Sequence, residues 1–362
     1  MNTYIKKHPI YIALCFAVLV CFSCDSKDDD KASNDAIIHL TVMNQNDSSI
    51  AEIPGDGETL LKLQARIPAD ADDKYRKVTF RASNGQFFSS TNSVVYEKTV
   101  NADGMAEAYL KVPLAHGPLF LSAEIGKDSD RYVSEQQITL LNVGEIIDLK
   151  ILDHNGNPIG NEVKADGNTI LTIKATVNYN SNAIGSIKFI TSGGSFLGIN
   201  NANSTVAIND KIATIQLKVP KTVGNIYIRG EAATNANIFK NGTLQLTRAF
   251  ADNIILEPNR LSIDSSDDLV SINTYLTRNI GYVSTGSTAQ YKAFQLDSNN
   301  NQVEIGRFTG LASAYTDDNG QITSVKFVPD TGDINFTEPI IIKVTTRNDS
   351  NQEIYRSFIL NN

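Results

Sequence analysis

At 362 residues, with 40 acidic and 32 basic side chains and a formal charge of −8, the chain is long enough for several cores and has the wrong sign for binding nucleic acid or anionic lipid. Its three cysteines, Cys15, Cys21 and Cys24, all fall in the first 24 residues, so the remainder holds no disulfide and depends on its cores alone. The chain has no Trp, which removes one of the residues most favoured at binding hot spots.

Met1 to Pro9 carries Lys6 and Lys7, and Ile10 to Phe22 is an unbroken apolar run. That run is shorter than the about 20 residues a membrane helix requires and fits a secretory signal. Residues 1–23 are therefore expected to be a signal peptide, and 24–35, beginning Cys24-Asp25-Ser26-Lys27-Asp28-Asp29-Asp30, a solvated acidic tether. Loss of Lys6 and Lys7 takes the formal charge to −10. Ser23-Cys24 resembles a bacterial lipobox, with Cys21 where that motif usually has Leu. The resemblance implies lipid on Cys24 as the anchor. The acidic run resembles the export signal of Bacteroidota surface lipoproteins, which implies the outer face of the outer membrane.

The body of the chain repeats. The first region, 36–142, opens with Ile37-Ile38-His39-Leu40-Thr41-Val42 and contains Phe80 to Ile125; the second, 143–252, contains a similar stretch from Phe189 to Ala232. Lys111-Val112-Pro113 falls on Lys218-Val219-Pro220, 107 residues later. Spacing of this size means a tandem array of like domains. Ala213, Ile215, Leu217 and Val219 alternate with Thr214, Gln216 and Lys218, as Ala106, Ala108, Leu110 and Val112 alternate with Glu107, Tyr109 and Lys111. Period two predicts a strand with one buried face, ended by the Pro. Gly117 and Gly224 then turn the chain into a second alternating strand, read here as the return arm of a hairpin. That hairpin sets Tyr109 beside Phe120, both facing outward, and Tyr227 opposite Gln216.

A third, blurrier copy from Thr316 to Phe336 lies in the last region, 253–362. Its Val325-Lys326-Phe327-Val328 breaks the alternation, which suggests a bulge or a different register. Asp264 to Ser287 has weak periodicity and is read as an inserted loop; with the Asn299 to Asn301 turn it is the expected contact region if the chain has a ligand. The whole predicts an all-β chain of tandem immunoglobulin-like sandwiches, two clear and one atypical.

The recurring Asn155-Gly156-Asn157-Pro158, Val78-Thr79-Phe80, Ser192-Gly193-Gly194, Ala102-Asp103-Gly104 and Asp318-Asn319-Gly320 resemble the bacterial immunoglobulin-like domains of the invasin and intimin kind. The match covers 36–250 well and 254–362 less well. It implies a rod of modules projecting from a cell surface, used as a spacer or tipped with an adhesive domain. The lipid anchor departs from the outer-membrane barrel of that family.

Chemistry is sparse. His8, His39, His116 and His154 have no His or Cys partner at ligand spacing, and no HExxH, G-x-S-x-G or phosphate-binding glycine loop is present. Calcium is the one cofactor considered, at Asp153-x-Asn155-x-Asn157 and at Asp317-Asp318, although the first lacks the closing Glu of an EF-hand loop. Tyr109, Phe120 and Tyr227 are the candidate contacts for a surface protein or glycan. The expected function is thus a non-catalytic, surface-anchored spacer or adhesion-type module. The alternatives are an accessory strut of an outer-membrane transport or secretion complex, or an unrecognised carbohydrate-binding or carbohydrate-processing protein.

Overall fold

The computed structural model describes residues 33–88, 93–159, 162–179, 184–311, 314–330, 332 and 334–361. The expected signal peptide and Cys24 lie outside the described residues, as does the expected tether up to residue 32. Nearly everything described is strand or turn; the α-helices are single turns, Asn34–Ile37 and Val143–Ile146.

Among the described residues six sheets form, two in each repeat region. In the first region His39–Met43, Leu60–Arg66, Met105–Lys111 and Gln86–Phe87 make a four-stranded sheet, in that order. Glu52–Pro54, Tyr132–Leu141, Gly117–Ile125, Lys77–Ala82 and Val95–Thr99 make a five-stranded one. The second region repeats this order: Ile147–Asp153, Ile170–Val177, Ile212–Lys218, Ser195–Phe196, and then Val163–Lys164, Asn235–Thr247, Gly224–Ala232, Ser186–Thr191, Asn203–Ala207. These paired sheets resemble tandem immunoglobulin-like sandwiches.

The strands carrying the Lys-Val-Pro motif and the strands that follow them lie in different sheets. The expected hairpin is therefore a crossover. Alternation along a strand reports which side is buried but not which sheet the strand joins, and the residues around Pro113 and Pro220 carry the chain across the core.

By compactness the described residues divide into two units, those within 33–50, 60–110 and 120–137 in one and those within 51–59, 111–119 and 138–361 in the other. In the first unit, Phe80 and Phe87 are buried with ring centroids 6.4 Å apart. The second unit repeats that pair as Phe189 and Phe196, again 6.4 Å apart. There Ile170–Val177 alternates strictly between buried and half-buried, with Leu171 opposite Leu217 and Ala175 opposite Ala213.

The last region, also in the second unit, pairs Val270–Thr277 with both Gln321–Ile322 and Lys326–Val328. Thr274 faces Ile322 and Ser271 faces Lys326, so one residue more lies on the second chain than on the first. This is the bulge that the broken alternation suggested, and it lets Ile322, Val325 and Phe327 all reach the core. Val270–Thr277 itself corrects the reading of 264–287 as an inserted loop. It is a central strand whose pattern was hidden because a core position holds Thr274, bonded by the Tyr291 hydroxyl at 2.9 Å. Burial pushes the Tyr291 phenol up to about 12.

Among the described residues one turn design recurs six times, beginning at Asn44, Asn101, Asp153, Asp297, Asp317 and Asn348. In each, the first side chain's Oδ1 accepts from the backbone N–H two and four residues on; for Asp153 these are Asn155 at 2.9 Å and Asn157 at 2.8 Å. The fourth residue sits in the left-handed region, as Asp47, Gly104, Gly156, Asn300, Gly320 or Asn351. That geometry explains the Asn, Asp and Gly of these loops without any ligand.

A second repeated loop builds the junctions inside the second unit. The fully buried Asp56 accepts from the Glu58 and Thr59 amides at 2.8 and 2.7 Å and from the Thr59 hydroxyl at 2.6 Å. Asp166 does the same with Asn168 and Thr169 at 2.9, 2.7 and 2.8 Å. Each loop also holds a segment of the following region. Asn235 Nδ2 donates to Asp56 at 2.7 Å, and the Tyr282 amide donates to the Asp166 carbonyl at 2.8 Å. Gly281 lies so close to Asp166 that a Cβ there would be 3.1 Å from the Asp166 side chain.

Candidate functional site

Of the residues singled out in the sequence, Tyr109 is 42% exposed on the four-stranded sheet and Phe120 is 55% exposed on the five-stranded one. They are therefore not neighbours, contrary to the hairpin reading. Tyr227, 59% exposed, is likewise on the sheet that Gln216 is not. The structure instead reveals Phe120 and Tyr227 as counterparts. The Ser83 Oγ accepts from the Phe120 amide at 3.1 Å, and the Ser192 Oγ accepts from the Tyr227 amide at 2.8 Å.

Four residues beyond each aromatic, on the same outward face, a carboxylate is sunk under two cations. Glu124 accepts from Arg81 Nε at 2.8 Å and from Arg131 Nε at 2.9 Å. Glu231 accepts from Arg229 Nε at 2.6 Å and pairs with Lys188 at 3.2 Å. Burial pushes the Glu124 carboxyl up, but the two guanidinium groups outweigh it and hold the group below the usual glutamate range. Such paired carboxylates tie neighbouring strands of one sheet together. Beside Phe120 lies a shallow depression of about 620 Å³ lined by Arg81, Ser83, Ser122, Glu135 and Gln137.

The calcium candidates are engaged in the fold. Asp153 Oδ1 binds the two turn amides and Oδ2 accepts from Asn157 Nδ2 at 3.2 Å. These donors, the Asn157 amide foremost, hold the Asp153 carboxyl below the usual aspartate range. Asp317 serves its own turn, and Asp318 Oδ1 accepts from the Thr285 hydroxyl at 2.8 Å. Among the described residues no group of three or more His, Cys, Asp or Glu is placed to hold a metal ion. His39, His116 and His154 are all exposed.

The expected contact stretch 264–287 is largely consumed by structure. Beyond its strand, Ser284 is buried at the junction, where its hydroxyl donates to the Ala165 carbonyl at 2.8 Å and accepts from the Ala249 amide at 2.9 Å. Asn299, Asn300 and Asn301 do form an exposed hairpin tip. A cleft of about 430 Å³ that the sequence did not announce opens in the same unit, where Arg248 meets the C-terminal sheet. Its lining includes Arg248, Gln290, Tyr315, Thr345, Arg347 and Glu353. These come from separate segments, so no local motif signals them.

No known protein family and no curated protein matches the sequence. Solved structures do resemble the chain. Invasin, a bacterial integrin-binding protein, aligns over 89% of this chain and 60% of its own length at 15% identity and a TM-score of 0.31. The Yersinia pseudotuberculosis adhesin InvE aligns over 60% of this chain and 59% of its own length at 13% identity and a TM-score of 0.41. FdeC, an Escherichia coli adhesin, aligns over 91% and 97% at 12% identity and a TM-score of 0.31. The chain thus spans about 60% of the length of the first two, and at these scores the likeness carries no conclusion about what it binds.

Proposed function

We propose that this chain is a non-catalytic adhesion-type module, held to the outer membrane by lipid on Cys24 and facing the cell exterior, with its binding surface in region 253–362. The observation that carries this reading is one sandwich design repeated along the chain, with its sunken carboxylates, Glu124, Glu231, Asp56 and Asp166, each held by donors from the chain itself. Scaffolds of this kind leave recognition to exposed loops and clefts. The Asn299 to Asn301 tip and the cleft around Arg347 are the exposed polar features of that region suited to the task. The repeated outward aromatics Phe120 and Tyr227 favour a second reading, a strut that docks on a membrane partner through the same sheet position in two sandwiches.

The anchoring is tested in cells. Wild-type protein is expected to incorporate labelled palmitate and to be digested by protease added to intact cells, whereas Cys24→Ala loses the label and the membrane association. Complete protection in intact cells with digestion after lysis would place the chain inside the envelope and end the adhesion reading. A stoichiometric membrane partner recovered after crosslinking would favour the strut.

A further inference from the structure

The cleft of about 430 Å³ in the second unit has a size suited to a small ligand and two arginines on its wall. Arg81, Arg131, Arg229, Arg260 and Arg278 each bind a carboxylate. The two arginines of the cleft bind neutral oxygens instead. Arg248 Nη1 donates to Ser287 Oγ at 3.1 Å and the Thr285 carbonyl at 3.4 Å; Arg347 Nη1 donates to Asn351 Oδ1 at 2.8 Å. Among the described residues neither has an acidic partner within 4 Å, although Glu353 lies directly across the strand pair from Arg347. Glu353, which also lines the cleft, is shared with Lys343 at 3.8 Å, so two arginines face one carboxylate there. The cleft therefore keeps a surplus of positive charge in a chain whose formal charge is −8.

Around the guanidinium groups stand neutral hydrogen-bonding groups and two aromatics, Phe250 and Tyr315. Thr345 and Gln290 face each other across neighbouring strands of the C-terminal sheet. Tyr315, exposed, is fixed by a backbone bridge to Thr288. Among the described residues the side chains of Gln290, Thr345 and Tyr315 make no hydrogen bond. Guanidinium forks match a carboxylate bidentately. Free hydroxyl and amide groups suit a ligand rich in hydroxyls, and an open phenol ring gives its C–H face a surface to lie on.

We propose that this cleft binds a carboxylate-bearing saccharide, with Arg347 and Arg248 on the acid, Gln290 and Thr345 on ring hydroxyls, and Tyr315 under the ring. The proposal rests on the adhesion reading and names its ligand class. The probes are 3′-sialyllactose and a galacturonate trisaccharide, with lactose as the neutral control, titrated into the full chain from Cys24 onward. At least one acidic probe is expected to bind about 10-fold or more tightly than lactose, and Arg347→Gln is expected to weaken it by a similar factor. Tyr315→Ala should weaken it as well, while Phe120→Ala leaves it unchanged. Arg347 and Tyr315 are exposed, so these variants keep the fold, which an unchanged melting curve verifies. Equal binding of lactose and the acidic probes, no binding of either acidic probe, or wild-type affinity in Arg347→Gln would overturn the proposal. So would binding of a carboxylate-ended peptide with no binding of either sugar. Attachment of cells bearing Arg347→Gln separates the two levels: undiminished attachment removes the saccharide site and leaves the adhesion reading standing.

Discussion

Asp56→Ala is expected to destabilise the second unit by about 3 to 5 kcal/mol, because it removes a buried, fully bonded carboxylate and leaves its donors without acceptors. Those donors are the amides of Glu58 and Thr59, the Thr59 hydroxyl and Asn235 Nδ2, all within 2.8 Å of the carboxylate. Asp56→Asn keeps one oxygen for the two amides but turns an NH2 group toward the Thr59 and Asn235 donors, so an intermediate loss is expected. Denaturant melts of the three proteins measure this directly. A loss under about 1 kcal/mol for the alanine variant would mean that water replaces the carboxylate and that the loop does not hold Asn235 in place.

Leu217→Asp should have an effect at least as large. Leu217 is fully buried, opposite Leu171 on one side and Phe196 on the other, and the change sets an unpaired carboxylate among apolar groups. Burial of such a charge without a partner costs several kcal/mol, roughly 4 or more here, enough to unfold a marginal sandwich. Its neighbour Lys218 points the other way, half-exposed, and Lys218→Asp should stay within about 1 kcal/mol of wild type. Comparable losses from the two substitutions would mean that the strand is out of phase with the core.

Much of the strand content could be read from the chain because alternation is a local property. Leu217 and Lys218, or Leu110 and Lys111, report inside and outside without reference to anything distant. Partnership between strands is not local, and the error over Tyr109 and Phe120 followed from that: a Pro followed by a Gly looks the same in a hairpin and in a crossover between sheets. Thr274 concealed a core strand because its hydroxyl is satisfied by Tyr291, which lies 17 residues further on. The extra residue opposite Val270–Thr277 was visible as a broken pattern. The Asn and Asp turns were visible too, because the side chain that accepts the turn amides and the residue in the left-handed region lie within four positions of each other. Least legible were the junction loops and the cleft. Asp56 meets Asn235 across 179 residues, and Arg248, Tyr315 and Arg347 share a wall only because three segments converge.

The most direct measurement of the central claim compares attachment of intact cells to host or matrix surfaces when they display the full chain and when they display it without residues 254–362, at matched surface levels. The account predicts that attachment falls to the level of cells lacking the protein, with no stable membrane partner recovered from either. Undiminished attachment by the shortened chain would contradict it.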